Sequence, residues 1–119
     1  MWWGAAIEAP DAAALAAFYS ELLGWRIGHE EPGTSILVAP QGSVYVVFQH
    51  ANDYRRPVWP PQPDEQRPMM HFDFQVADLE AAAAEALQLG ATVAEFQPQK
   101  NVRVMLDPAG HPFCMCLDE

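Results

Sequence analysis

Positive charge is scarce in this chain. Among 119 residues, six are Lys or Arg and 16 are Asp or Glu, for a formal net charge of −10. Contacts to phosphate need clustered Lys and Arg, so neither nucleic acid nor an anionic membrane is an expected partner. Cysteine is scarce too, with only Cys114 and Cys116. At i,i+2 in a strand these point the same way with Cα atoms too far apart for easy bridging, so they read as free thiols suited to a reducing compartment. No uninterrupted apolar run approaches the ~20 residues that span a bilayer. The start, MWWGAAIEAPD, lacks the basic beginning and long apolar middle of a signal peptide. The expectation is a soluble, cytoplasmic protein. A phosphate-cradling glycine loop, a zinc-spaced Cys/His cluster and a nucleophile elbow are also missing.

What the chain does contain is a repeat. Residues 4–24, GAAIEAPDAAALAAFYSELLG, are echoed by residues 71–90, HFDFQVADLEAAAAEALQLG, with Asp11 matching Asp78 and Gly24 matching Gly90. Each copy reads as strand, turn, helix and glycine stop. Leu15, Phe18, Tyr19, Leu22 and Leu23 mark the buried face of the first helix, and Leu79, Ala82, Ala83, Ala86 and Leu87 that of the second. Strands are expected near 4–10, 25–30, 34–39 and 43–49, and again near 69–76, 92–96, 102–106 and 112–117. Residues 51–68 carry five prolines without periodicity and read as an extended connection. The fold class is therefore α+β, one domain over residues 1–119 built from two βαβββ modules, about 1–50 and 69–119, joined by the Pro-rich loop.

Strand alternation separates two faces. Phe72, Phe74 and Val76 should cover a helix, leaving His71, Asp73 and Gln75 on the open side. By the repeat, Ala5, Ile7 and Ala9 face the helix, and Gly4, Ala6 and Glu8 do not. Tyr45, Val47 and Gln49 take the open side of the fourth strand, and Cys114 and Cys116 that of the last. His111, within Gly110-His111-Pro112, reads as a turn residue. Arg55, Arg56 and Arg67 share one loop, where solvated charge is the simplest reading and an anion clamp the alternative. Trp2, Tyr45 and Trp59 serve either as packing or interface residues or as a stacking surface for a flat or cationic ligand.

The D-x3-LAxFYxxLLGW segment at 11–25, the HFDFQVADLEAA start of the second half and the terminal DPAGHPFCM resemble the glyoxalase / bleomycin-resistance / dioxygenase superfamily, also called vicinal-oxygen-chelate proteins. The resemblance covers essentially the whole chain. It implies curled mixed sheets around a cavity, and commonly a homodimer. In metal-dependent members it also implies a divalent ion held by His or Glu on the first, fourth, fifth and eighth strands, places that fall here on Gly4, Gln49, His71 and Cys114. Only His71 keeps the expected ligand type, and one imidazole does not hold a catalytic metal that needs about three protein ligands.

The expected function is thus a metal-independent small-molecule binder that sequesters or senses its ligand in an acidic, aromatic-lined cavity. Its ligand-binding residues are His71, Gln49, Asp73, Tyr45, Glu8, Trp59 and Cys114, with the Pro-rich loop and Trp59 as a partial lid. No cofactor and no catalytic residue are expected. One alternative is a lyase, isomerase or dioxygenase of the glyoxalase type, with a metal site rebuilt around His71 from Glu8 and Asp73. Another is an interaction module with a vestigial cavity.

Overall fold

The computed structural model describes residues 1–117. Along the chain run β1 (Trp3–Ala9), α1 (Ala12–Leu23), β2 (Arg26–Glu31), β3 (Thr34–Val38), β4 (Val44–His50), β5 (Phe72–Val76), α2 (Leu79–Gln88), β6 (Thr92–Val93), β7 (Val102–Leu106) and β8 (Pro112–Leu117). They form two compact units, Met1–Tyr54 and the chain from Arg55 onward. Each unit holds one four-stranded sheet, ordered β1-β4-β3-β2 in the first and β5-β8-β7-β6 in the second. The repeat in the sequence is thus a repeat in topology: β1 runs parallel to β4 and β5 parallel to β8, and the other neighbours are antiparallel.

In the first unit Asp11 caps α1, its carboxylate accepting from the Ala14 N–H at 3.1 Å. This satisfies one of the amides that a helix start leaves without a partner. Leu15, Ala16, Phe18 and Tyr19 are buried. The Tyr19 ring stacks on Phe48 of β4 with centroids 5.7 Å apart, which fixes the helix over the sheet. Gly24 ends the helix at φ +70, a left-handed conformation open to glycine without steric cost, and its N–H reaches the Ser20 carbonyl at 2.9 Å.

The second unit follows the same logic with a thinner helix. Asp78 caps α2 through the Ala81 N–H at 3.1 Å, and Leu79, Ala83 and Ala86 are buried. Leu87, expected on the inner face, is instead 47% exposed. Buried residues at i, i+4 and i+7 make a narrow stripe in this ten-residue helix, and Leu87 at i+8 falls on its flank. Beneath the stripe, Phe113, Met105 and Met115 form the core, with Phe74 against Phe113 at 5.9 Å.

Two strands are shorter than their patterns suggest. β6 ends at Val93 rather than near residue 96, because the Gln97 amide replaces the ladder. Its nitrogen donates to the carbonyls of Ala94 and Val104, and its oxygen accepts from the Val104 N–H, all at 2.8 Å. β5 begins at Phe72 rather than at residue 69, since its partner β8 begins at Pro112 and pairing starts at Phe72 opposite Phe113. Between Ala51 and His71 no regular element forms. Part of this stretch is fastened to the second unit: Arg56 Nη1 donates to the Pro108 carbonyl at 3.2 Å. That contact ties Arg56 to the turn that precedes β8.

Candidate functional site

Alternation along β5 turns its apolar residues inward, and His71, Asp73 and Gln75 are exposed as their parity requires. On β8, Phe113 and Met115 are buried and Cys114 and Cys116 take the other face. Parallel pairing sets Asp73 beside Cys114 and Gln75 beside Cys116. The result is a cluster on the open side of the sheet. His71 Nε2 lies 3.2 Å from Asp73 Oδ1, and the donor atoms of His71, Asp73 and Cys114 all lie within 4.8 Å of one another.

The electrostatics of the cluster decide the state of its thiol. Burial pushes the Cys114 thiol up to about 11, helped by the Asp73 carboxylate, by Cys116 and by a hydrogen bond to Asp73. The Cys116 thiol is raised too, first by burial and then by Asp73. Near neutral pH Cys114 therefore stays protonated and serves as a donor to Asp73, the reverse of what an activated nucleophile requires. Asp73 is the centre of the group, accepting from an imidazole on one side and a thiol on the other.

On the first unit the open face is built differently. Parallel pairing sets Gly4 opposite Tyr45 and Glu8 opposite Gln49, and both members of the second pair are exposed. Gly4 is more than a residue without a side chain. A Cβ placed there would lie 2.5 Å from both Cε2 and the carbonyl oxygen of Tyr45. Tyr45, whose ring is 6.1 Å from that of Trp2, thus occupies the space that a side chain at Gly4 would need. Gly4→Ala should cost about 1–3 kcal/mol of stability, read by urea denaturation, because the contact includes backbone and cannot be relieved by rotating a side chain alone. A loss under a few tenths of a kcal/mol would show that the strand simply shifts.

Trp59 is engaged elsewhere in the second unit. Its indole N–H donates to the Phe96 carbonyl at 3.2 Å, and the two rings stand 6.2 Å apart. Of the seven residues expected to bind ligand, His71, Asp73 and Cys114 are brought together, and Glu8 and Gln49 are neighbours across β1 and β4. Tyr45 forms the wall over Gly4. The seating of Tyr45 was not legible in the sequence beforehand, although a glycine on an open strand face paired with an aromatic residue is the signal that points to it.

The four strand places that hold a divalent ion in metal-dependent members of the resembled superfamily do not carry a matching donor set. Gly4 has neither a donor nor room for one, and Gln49 offers only a neutral amide oxygen. Cys114 stands as a protonated thiol where a carboxylate is expected. His71 is the one position that matches in kind.

Comparison with known proteins agrees with this architecture. No curated protein matches the sequence. Among solved structures, the chain is similar to a glyoxalase/bleomycin resistance protein/dioxygenase family enzyme from Burkholderia phytofirmans PsJN, at 18% identity and TM-score 0.70 over 96% of this chain and 95% of that one. It is also similar to the fosfomycin resistance protein FosX from Listeria monocytogenes, solved with Mn(II) and 1S,2S-dihydroxypropylphosphonic acid, at 10% identity and TM-score 0.70 over 95% and 86% of the two chains. An integron cassette protein from V. cholerae shares the fold at 14% identity and TM-score 0.65, covering 100% and 95%. The family model for the glyoxalase-like domain matches residues 4–116, nearly the full length of the repeat, and the chain belongs to that family.

Proposed function

We propose that the protein is a small-molecule-binding member of this family, one that sequesters or senses its ligand without a catalytic ion at the four family positions. The observation that carries this reading is the Tyr45 ring and carbonyl packed where a first-strand ligand would stand at Gly4. In the second unit Asp73 is an exposed carboxylate flanked by two donors, a local field that favours a cationic or hydrogen-bond-donating group on the ligand. Within the first unit, and taken by itself, the Tyr45 and Trp2 pair offers an aromatic surface suited to a flat or cationic moiety. The acidic balance of the chain works in the same direction.

The test is a thermal-shift and calorimetric screen of chelator-treated protein against cationic metabolites and antibiotics. Binding without turnover supports the proposal. Asp73→Asn and His71→Ala should each weaken a ligand so found by roughly 1–3 kcal/mol while leaving the melting temperature nearly unchanged, since both side chains lie outside the core. An equal loss of melting temperature in both variants would make these residues structural instead. The second reading, a glyoxalase-type lyase, isomerase or dioxygenase centred on His71, is favoured by the His71, Asp73 and Cys114 cluster, and turnover that requires added metal would establish it.

We further assign the protein to the cytoplasm and to a homodimer. Free thiols suit a reducing compartment, and no helix among the described residues is long and apolar enough to cross a membrane. Trp2 and Trp3 are 58% and 60% exposed at β1, which is an end strand of its sheet. Sedimentation at micromolar concentration should give twice the chain mass, and a monomer there would reject the dimer.

A further inference from the structure

We propose that Arg55, Arg56 and Arg67 form a binding site for a small tetrahedral dianion, with phosphate, free or as a monoester, as its type, at the neck of the loop between β4 and β5. The inference goes beyond the ligand reading above. It uses no residue of a strand, none of the four family positions and none of the groups around Asp73.

The first observation is where the positive charge sits. In a chain of net charge −10, three of the six Lys and Arg residues fall within residues 55–67. The second is how the backbone gathers them. The Val58 N–H donates to the Gln66 carbonyl at 2.9 Å, so the segment folds back on itself and returns Arg67 alongside Arg55 and Arg56. Each arginine Cα is then within about 10 Å of chain from that bond, a gap that long side chains close. The third is that none of the three is neutralised inside the protein. Among the described residues no carboxylate lies within ion-pair distance of any of them, whereas Arg103 meets Glu80 at 2.8 Å. Guanidinium groups gathered without a counter-charge repel one another, and a dianion that accepts from them replaces the repulsion with charge-assisted hydrogen bonds.

Arg56 is in position before any ligand arrives. Its Nη1 donates to the Pro108 carbonyl at 3.2 Å, and its side chain lies directly over the turn: a Cβ at Gly110 would fall 2.7 Å from Nε and 2.9 Å from Cζ. One N–H of the guanidinium is committed to the turn, which leaves the rest of the planar fork for two oxygens of a phosphoryl group. Pro57 and Pro68 restrict the backbone on both sides of the neck, and Trp59 fastens the loop beyond it through the Phe96 carbonyl at 3.2 Å. Asp64 and Glu65 belong to the loop beyond the Val58 to Gln66 bond. The more distant acids act across a screening length of about 10 Å at 0.1 M ionic strength, which limits their repulsion. Three arginines suit one small dianion and not the extended phosphate track of a nucleic acid.

The experiment is calorimetry on the full chain in a phosphate-free buffer of low ionic strength. Sodium phosphate and phenyl phosphate should bind to one equivalent per chain, and sodium acetate at least about tenfold more weakly than phosphate. Tighter binding of phenyl phosphate assigns the site to a monoester, and otherwise to the free ion. Arg55→Ala, Arg56→Ala and Arg67→Ala should each lower phosphate affinity by at least about tenfold. Arg56→Lys keeps the charge without the fork and should lower it by at least about threefold. Arg26→Ala removes a cation of the first unit and should change it by less than about twofold. Arg55 and Arg67 are exposed, so their variants stay informative even if Arg56→Ala loosens the turn. Absence of phosphate binding up to about 10 mM overturns the proposal, as do acetate binding as tightly as phosphate, unchanged affinity in Arg55→Ala and Arg67→Ala, or an equal loss in Arg26→Ala. The organic-ligand screen at Asp73 draws on none of these arginines, so failure here leaves its outcome separate.

Discussion

Phe113→Ala should lower the free energy of unfolding by about 3–5 kcal/mol, a large share of the stability of a small domain. The side chain is 0% exposed, pairs with Phe72 and Met105 across β8 and meets the Phe74 ring at 5.9 Å. Truncation removes a large apolar surface and leaves a void whose walls are held by three strands, so relaxation is limited and the cavity cost adds to the lost transfer energy. Urea denaturation with an unchanged m-value is the measurement. A loss below about 1 kcal/mol would mean that α2 closes over the gap. The thin Ala-rich face of α2 argues against this, since Ala83 and Ala86 have no length to extend into the space.

Asp107→Ala should cost about 2–4 kcal/mol, by a different mechanism. Asp107 is 1% exposed, and its Oδ1 accepts from the N–H groups of Ala109 at 2.9 Å and His111 at 3.0 Å. Its own N–H donates to the His111 carbonyl at 2.9 Å, so one residue organises the whole turn from β7 into β8. Removing the carboxylate leaves two inward amides without this acceptor. Asp107→Asn keeps the acceptor oxygen and should recover part of the loss, which separates the hydrogen bonds from the charge. Equal losses in Ala and Asn would place the effect in the charge. The turn delivers Pro112 to the start of β8, two residues before Cys114. A loosened turn should therefore also blunt binding at the His71, Asp73 and Cys114 cluster, although Asp107 does not belong to it.

The two substitutions also mark how far a linear reading reaches. Inward placement of Phe113 follows from alternation along residues 112–117, and the parity of β5 follows from the same rule. Both helices with their Asp caps, and the Gly24 stop of the first, came from spacing and capping chemistry. These features are local: helix and strand periodicities act over a few residues, and a side chain's direction relative to its own backbone is decided there. Leu87 shows the limit even within one element, because a ten-residue helix with three small or medium inward residues does not bury the broader stripe that its composition suggests.

Other features depend on residues far apart in the chain. The end of β6 at Val93 required the Gln97 amide to meet Val104. The organising role of Asp107 depends on the packing that buries it. In the candidate site the sequence alone determined which residues stand on the open faces: Glu8, Tyr45, Gln49, His71, Asp73 and Cys114. Tertiary structure decided which of them meet, because the offset between strands some forty residues apart is set by packing and not by alternation. The parallel register of β5 and β8 joined Asp73 to Cys114, and that of β1 and β4 put Tyr45 in the space beside Gly4.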